Sequence, residues 1–449
     1  MTVRLIPARA PLSAELHEAC APFGVLPVRP GTPLRNEHSH HVGHALESPG
    51  VVLVTGPSGS GKTTLLAALR RSLAERGRRV IRTDDPASLG RDHARSVVDC
   101  LPGDAAARIG ALSRAGLADA TLFARTPAEL SAGERARLAL AADFVRARAG
   151  DWVVADEFAS VLDRATAQSV SRTVTKWAKV AGIGLVLASA HEDLTRFVHA
   201  DRVVRLDHAG SVRLSDGRPP IGVRLRFEDG TRDDYAALAA HHYRGGRPAT
   251  RVLIRRAVRT LPSGDERTAG VLVVSMPTLN GAWRDLAWPG RYTSGDKRAR
   301  ARRLNRELRC LSRVIVEPSS RGLGIARALV ADYLRSPLTS ATEAVAQMGA
   351  YCPFFERAGM RAYPLATGPV DARWLDALAA RGIDAARGIV PERADELAED
   401  PLVQRELERW VRDRKLARGL RGVEGGVRVR AAASLASTPA VAYAAGRSG

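Results

Sequence analysis

The stretch Val51-Val52-Leu53-Val54-Thr55, followed by Gly56-Pro57-Ser58-Gly59-Ser60-Gly61-Lys62-Thr63-Thr64, decides how this chain is read. The first five residues are an unbroken apolar, β-branched run of the length of a buried strand. The next eight, Gly56 to Thr63, fit G-x-x-x-x-G-K-[ST], the phosphate-binding loop. Thr64-Leu65-Leu66-Ala67-Ala68-Leu69-Arg70 continues with good helix formers and apolar residues at helical spacing. Between strand and helix, Gly56, Gly59 and Gly61 let the backbone curl so that successive N–H groups point inward. The helix N-terminus adds its positive dipole end to that nest. Ser58, Ser60 and Thr64 belong to the same cradle. Lys62 is placed to reach the β- and γ-phosphates, and Thr63 to set its hydroxyl on Mg²⁺. The stretch therefore predicts a bound nucleoside triphosphate.

Outward from this loop, the bulk properties set the frame. A chain of 449 residues exceeds one ordinary core, so two or three domains are expected. The net charge of +20 is uneven: 28 basic against 22 acidic residues up to position 214, and 40 against 26 beyond it. That excess points to a polyanionic partner of the second half, nucleic acid before membrane. No apolar run approaches a membrane span, and no signal-peptide pattern opens the chain. The four cysteines, Cys20, Cys100, Cys310 and Cys352, form no C-x-x-C pair and read as reduced, mostly buried thiols of a cytoplasmic protein. His38, His40, His41 and His44 lack Cys or carboxylate partners at ligand spacing and read as a polar surface loop rather than a metal site.

Downstream of the loop, Arg79-Val80-Ile81-Arg82-Thr83 reads as a second strand. Ser131 and Glu134 form a capping box that opens a helix to about Arg148. Trp152-Val153-Val154-Ala155 is a strand that ends in Asp156 and Glu157. A strand-end aspartate suits the Mg²⁺ shell, and the adjacent glutamate suits polarising an attacking water. Further strands are Gly184–Ser189, ending just before His191, and Arg202–Leu206. Strands alternating with helices predict a mostly parallel α/β sheet with its ligand at the carboxyl edge.

This ordered set resembles an ABC-type ATPase cassette of the soluble, non-transporter kind. In that resemblance Gly56–Thr63 is the Walker A loop, and Leu130-Ser131-Ala132-Gly133-Glu134 the signature segment. Asp156 closes Walker B, Glu157 is the catalytic carboxylate, Ser160–Asp163 the D-loop and His191 the switch histidine. The family implies an ATP-dependent, head-to-tail homodimer, in which Ser131 and Gly133 of one copy cover the ATP held by the other. The chain departs from the family at Ala132, where glycine is usual, and at Glu134, where glutamine is usual. Residues 65–130 contain no glutamine, so the Q-loop residue that couples transporters to their membrane domains is missing.

The second half changes character. Ile221–Phe227, Ala249–Val258 and Gly270–Met276 read as strands and Asp234–Tyr243 as a helix, an antiparallel β pattern. Leu311–Val316 is an apolar strand, after which Arg321-Gly322-Leu323-Gly324-Ile325-Ala326 opens a helix, again an anion site of backbone N–H groups. Tyr351-Cys352-Pro353-Phe354-Phe355-Glu356-Arg357-Ala358-Gly359-Met360 follows after another strand near Ala344–Met348. Together these resemble the acyl-CoA pyrophosphate loop and the following motif of GNAT-type acyltransferases, which implies acetyl-CoA as a cofactor. Where many GNAT enzymes hold a tyrosine general acid this chain has Phe355, and Tyr351 is the nearest substitute.

Lys297-Arg298-Ala299-Arg300-Ala301-Arg302-Arg303 is densely basic, and Trp283, Trp288 and Tyr292 nearby are candidates to stack on DNA or RNA bases. Arg409, Arg412, Arg414, Lys415, Arg418 and Arg421 give a second basic face, and from about Gly425 the composition predicts disorder. The expected plan is an N-terminal segment (1–44), an ABC-type P-loop ATPase domain (45–215), an α+β GNAT-like domain (221–370) and a basic helical region with a disordered tail (371–449). The expected activity is ATP hydrolysis coupled to a GNAT-like domain that binds acyl-CoA and modifies a nucleic acid or protein. The alternatives are a nucleic-acid-binding ATP switch with a non-catalytic GNAT-like fold, and the ATPase subunit of an ABC transporter.

Overall fold

In a computed structural model of the chain, residues 4–7, 11–23, 25–28, 48–83, 95–207, 211–242, 248–414, 420, 422–438 and 440–446 are described. The histidine segment His38–His44 lies outside them, as do Tyr243, Lys415, Arg418 and Arg421. The chain divides into two compact units. The first is Met1–Asp85 with Ala147–Ser160 and Ala178–Pro219; the second is Pro86–Arg146 with Val161–Trp177 and Pro220–Gly449.

In the first unit a short parallel pair, β1 (Arg4–Pro7) and β2 (Val25–Val28), precedes a six-stranded sheet. That sheet consists of β3 (Val51–Thr55), β4 (Val80–Arg82), β5 (Trp152–Ala155), β6 (Gly184–Ser189), β7 (Arg202–Leu206) and β8 (Val212–Asp216), in the order β4-β5-β6-β3-β7-β8. Only β8 runs antiparallel to its neighbour. The apolar run predicted a strand buried on both faces, and every residue of β3 is buried. Helix α1 (Ala14–Cys20) lies between β1 and β2, and α2 (Lys62–Glu75) follows β3. Leu65, Leu66, Leu69 and Leu73 of α2 pack on Val52, Val54, Trp152, Val186 and Val204. Each leucine so buried contributes about 1.5–3 kcal/mol. This is the P-loop ATPase α/β fold.

The second unit contains a helical block with α3 (Ala105–Arg114), α4 (Ala120–Phe123), α5 (Ala132–Arg146) and the N-terminal part of α6 (Arg164–Ala181). It also holds a seven-stranded sheet. The strands are β9 (Leu225–Asp229), β10 (Leu253–Thr260), β11 (Glu266–Ser275), β12 (Leu308–Val316), β13 (Ala341–Ala346), β14 (Arg361–Pro364) and β15 (Val441–Gly446). Their order is β14-β15-β13-β12-β11-β10-β9, and only β12 and β13 are parallel neighbours. α7 (Arg232–Ala239) follows β9. α8 (Arg284–Ala287) and α9 (Lys297–Glu307) lead into β12, α10 (Ile325–Arg335) joins the parallel pair, and α11 (Phe354–Arg357) precedes β14.

Two expectations about this half are corrected. The described residues from Gly425 on are not disordered: Gly425–Ser437 form a helix and Val441–Gly446 form β15, which inserts between β13 and β14. Its small residues are small because they are buried. Ala432, Ala433 and Ala436 pack in one core with Trp374, Leu407, Trp410 and Val429. The connection from β14 to β15 is thus an inserted helical block, α12 (Pro369–Ala379), α13 (Pro391–Ala398), α14 (Pro401–Asp413) and α15 (Gly425–Ser437). Arg414 is tied up within that block: it bonds Asp371 and lies over the Trp410 ring, 5.2 Å from its centroid. The second correction concerns the aromatics. Trp288 and Tyr292 are 3% and 2% exposed, in a satellite core with Leu304, Leu308 and Ala341, so they cannot stack on a base.

One carboxylate links local capping to stability. Asp234 accepts from Thr231 N–H and Oγ1 at 2.8 and 2.9 Å, from Arg256 Nη1 at 2.8 Å and from Thr268 Oγ1 at 3.0 Å. Burial works to raise its pKa, but these hydrogen bonds outweigh it and bring the carboxyl down to about 2. A folded-state pKa below the unfolded one stabilises at higher pH, and that share is lost as pH falls from about 4 toward 2. In thermal melts the deficit of Asp234→Asn should therefore be largest near neutrality and shrink over that interval. A deficit independent of pH would show that the charge of Asp234 is not what stabilises the cap.

Candidate functional site

The strand–loop–helix of the sequence is built as the spacing required. Gly56 sits where an added Cβ would stand 2.3 Å from the Leu206 carbonyl oxygen, so the loop closes on the sheet only with glycine there. Gly61 takes φ +91° as the residue ahead of α2, a conformation that costs any L side chain. Lys62 is 5% exposed, and its Nζ donates 2.9 Å bonds to the carbonyls of Gly56 and Pro57. The ammonium is thus held over the mouth of the loop, where phosphate oxygens would take over from those carbonyls.

Because β3, β5 and β6 are parallel, their carboxyl ends share one edge, and this brings the distant segments together. Thr63 Oγ1 donates to Asp156 Oδ2 at 2.7 Å across 93 positions of sequence. A hydroxyl and a carboxylate oxygen converging at a phosphate loop fit Mg²⁺, a hard cation that takes few protein ligands and keeps the rest for phosphate and water. Among the described residues no group of three or more His, Cys, Asp or Glu is set to hold a metal without such help. When bound, Mg²⁺ would neutralise developing phosphate charge, and Thr63 and Asp156 would be the residues to hold it.

Glu157 follows Asp156, is exposed, and adopts φ +48°, and Ala159 adopts φ +59°. Two non-glycine residues in the left-handed region within three positions store roughly 1–3 kcal/mol each, which surrounding structure must hold in place. His191 stands at the same edge, just beyond β6, with its N–H donating to Ser189 Oγ at 3.3 Å.

In the second unit, Ser131 and Glu134 form the capping box read from the sequence. Ser131 N–H and Oγ each donate to Glu134 Oε2 at 2.9 Å, and Glu134 N–H returns to Ser131 Oγ at 3.3 Å. Gly133 faces Leu162 Cδ2, which would lie 2.9 Å from an added Cβ. Asp163 caps α6 through Thr166 N–H and Oγ1, at 3.0 and 2.5 Å. Burial pushes this carboxyl up, and those bonds return it below its ordinary value.

The Arg321–Ala326 loop is likewise where the sequence put it. It follows β12 and runs through Gly322 at φ +81° and Gly324 at φ +80° into α10, whose N-cap offers no side-chain bond. Beside it the sheet unzips. β12 pairs with β13 only over Leu308–Cys310 against Ala341–Glu343, although both strands run further. The register on the other side of β12 shifts between Val273 and Val274, so Ser312 is the extra residue of a bulge. A bulge bends its strand, and the split between the two parallel strands begins there.

Sequence reasoning missed Tyr443, because the tail around it read as disordered. It stands on β15 with its ring 4.9 Å from that of Phe355, and its buried hydroxyl has no hydrogen-bond partner among the described residues. Burial, with Glu356 and Cys352 nearby, pushes the phenol up to about 12, so it stays a neutral donor. Alternating small residues in Val441–Gly446 were the signal available. Cys310 is no nucleophile, since burial and Glu343 drive its thiol up to about 12. Tyr351 lies in the turn before α11.

Residues 33–198 match the family model of an AAA ATPase domain. No curated protein matches the chain. Among solved structures, the dimeric structure of a bacterial ABC transporter cassette is similar at 18% identity, over 38% of this chain and 88% of that one, with a TM-score of 0.31. A bacterial Atm1-family ABC exporter with ATP bound is similar at 18% identity, over 38% of this chain and 34% of that one, with a TM-score of 0.31. The cbiO1 component of an ABC transporter complex from Clostridium perfringens is similar at 17% identity, over 38% and 78%, with a TM-score of 0.28. By the family match, residues 33–198 carry an ATP-binding P-loop ATPase domain, and among the described residues no helix is long and apolar enough to cross a membrane.

Proposed function

We propose that the chain is an ABC-type ATPase whose hydrolytic cycle serves a GNAT-like domain that binds acyl-CoA and acylates a nucleic acid or protein. The ATPase part rests on the order Walker A loop, Ser131 segment, Asp156-Glu157, Asp163 and His191, and on the 2.7 Å bond from Thr63 to Asp156. Glu157 would polarise the attacking water and His191 would bond the γ-phosphate. One loop and one signature segment per chain leave each ATP site incomplete in a monomer, so ATP should drive a homodimer completed by Ser131 and Gly133 of the second copy.

The observation that carries the acyl-CoA part is the unzipped pair β12 and β13 with the glycine loop at its carboxyl end. Open N–H groups at a helix N-terminus suit a pyrophosphate, and the unpaired edges of two parallel strands suit the amides of an extended acyl-CoA arm. Tyr443 offers a buried hydroxyl to the same region. Calorimetry should detect acetyl-CoA binding to the full-length protein, and absence of heat with intact ATPase activity would rule the acyl-CoA part out.

The nucleic-acid acceptor is favoured by α9. Lys297, Arg298, Arg302 and Arg306 are exposed, the three arginines at i, i+4 and i+8. Like charges at that spacing repel, and a polyanion relieves the repulsion. Of the exposed arginines, Arg306 also pairs with Glu307 at 2.9 Å, and Arg300 and Arg303 are bonded to the carbonyls of Thr293 and Arg291, at 3.4 and 2.7 Å. Replacing Arg298, Arg302 and Arg306 with glutamine should lower the slope of log affinity against log salt for DNA or RNA by about 0.9 for each phosphate that is no longer neutralised. An unchanged slope would remove α9 from the acceptor surface.

A further inference from the structure

Arg259, on β10, is fully buried. Its Nη1 donates to Ser169 Oγ, Ser320 Oγ and the Ser319 carbonyl at 3.2, 2.9 and 3.3 Å, and its Nη2 to Gln168 Oε1 and the Ala165 carbonyl at 2.6 and 3.1 Å. Ser169 Oγ itself reaches the Ser319 carbonyl at 2.6 Å. Ala165, Gln168, Ser169 and Thr173 lie on one face of α6, at i, i+3, i+4 and i+8. Thr173 completes the packing: an added Cβ on Gly322 would be 2.4 Å from its Cγ2. One buried cation therefore ties α6 to Ser319–Gly322, the approach to the anion loop. Removing a partner of a buried charge is costly, so helix and loop move together or the knot breaks.

The same helix is attached to the nucleotide site by covalent continuity. Asp163 caps it, and the segment before it holds Glu157 and Ala159 in strained backbone. A strained segment next to the hydrolytic carboxylate is one that can hold two conformations, and here its downstream end is fixed to the anion loop. Resting on the acyl-CoA reading above, we infer that Arg259 is a positioning residue that makes acyl-CoA affinity depend on the nucleotide bound at Lys62.

Acetyl-CoA is titrated by calorimetry into the full-length protein with ADP, with AMP-PNP and Mg²⁺, and without nucleotide. The Kd values with ADP and AMP-PNP should differ by at least about 5-fold, the lower end of ordinary coupling between sites. Arg259→Met should bring that ratio to near one while ATP still binds, and Arg259→Lys should restore part of it. Gln168→Leu, which keeps the guanidinium and its other bonds, should also reduce the ratio and carries the test if Arg259→Met does not fold. Equal Kd values in all three states of the wild type would overturn the coupling while leaving acyl-CoA binding standing. A ratio unaffected by both Arg259→Met and Gln168→Leu would remove Arg259 from it. No acetyl-CoA binding in any state would overturn the acyl-CoA reading, and this inference with it.

Discussion

Replacing Glu157 with glutamine should leave ATP bound and slow its hydrolysis at least ~100-fold, the usual scale for losing a positioned acid–base group. The amide keeps the size and the strained φ of +48° but cannot take a proton from the attacking water. Lys62→Ala should fail earlier. Lys62 is buried with its Nζ on two loop carbonyls, so alanine leaves a loop without its cation and a triphosphate without its counter-charge. Nucleotide binding should drop below detection, not merely turnover. The pair of variants separates the steps: fluorescent-nucleotide titration should read wild-type-like binding for Glu157→Gln and none for Lys62→Ala. With hydrolysis blocked, Glu157→Gln in ATP should also sediment as a homodimer. Equal ATPase rates for wild type and Glu157→Gln would take the glutamate out of its assigned role.

What was legible in the sequence was legible because local chemistry and tertiary need agree there. The run Val51–Thr55 is apolar at every position because β3 is central and covered on both faces, and Ser131 with Glu134 is a capping box whether or not it also meets a phosphate. The meeting of Thr63 with Asp156 followed from placing Asp156 at the end of one parallel strand and Thr63 at the helix start after the loop that leaves another. The failures have the opposite cause. Val441–Gly446 is short, small-residued and far from its partners, so nothing local says strand; pairing with β13 and β14 creates one. Trp288 and Tyr292 sit beside a run of cations in sequence and looked like a stacking platform, yet they are a core under α9. Composition reports the surface chemistry of a segment only when that segment is on the surface. Arg259 shows the same limit: an arginine in an exposed-looking alternation is the buried tie between a helix and a loop.

Gly324→Glu should abolish acetyl-CoA binding and leave ATPase activity near wild type. An added Cβ at Gly324 meets nothing within 4 Å, so the substitution does not fail by collision. At φ +80° any L side chain costs roughly 1–2 kcal/mol, and Gly324→Ala isolates that cost and should weaken binding by a modest factor. Glutamate adds a charge at the N-terminus of α10, a position where a carboxylate stabilises the helix. The fold is therefore kept while a tethered anion competes for the N–H groups that a pyrophosphate would need. Gly322 is a poorer test, since a side chain there strikes Thr173 and disturbs α6. The expected ranking in calorimetry is wild type, then Gly324→Ala, then no measurable heat for Gly324→Glu, with thermal midpoints close together. If Gly324→Glu binds acetyl-CoA as tightly as wild type, the loop after β12 is not the pyrophosphate site, and the ATP-switch reading with nucleic acid on α9 becomes the better account.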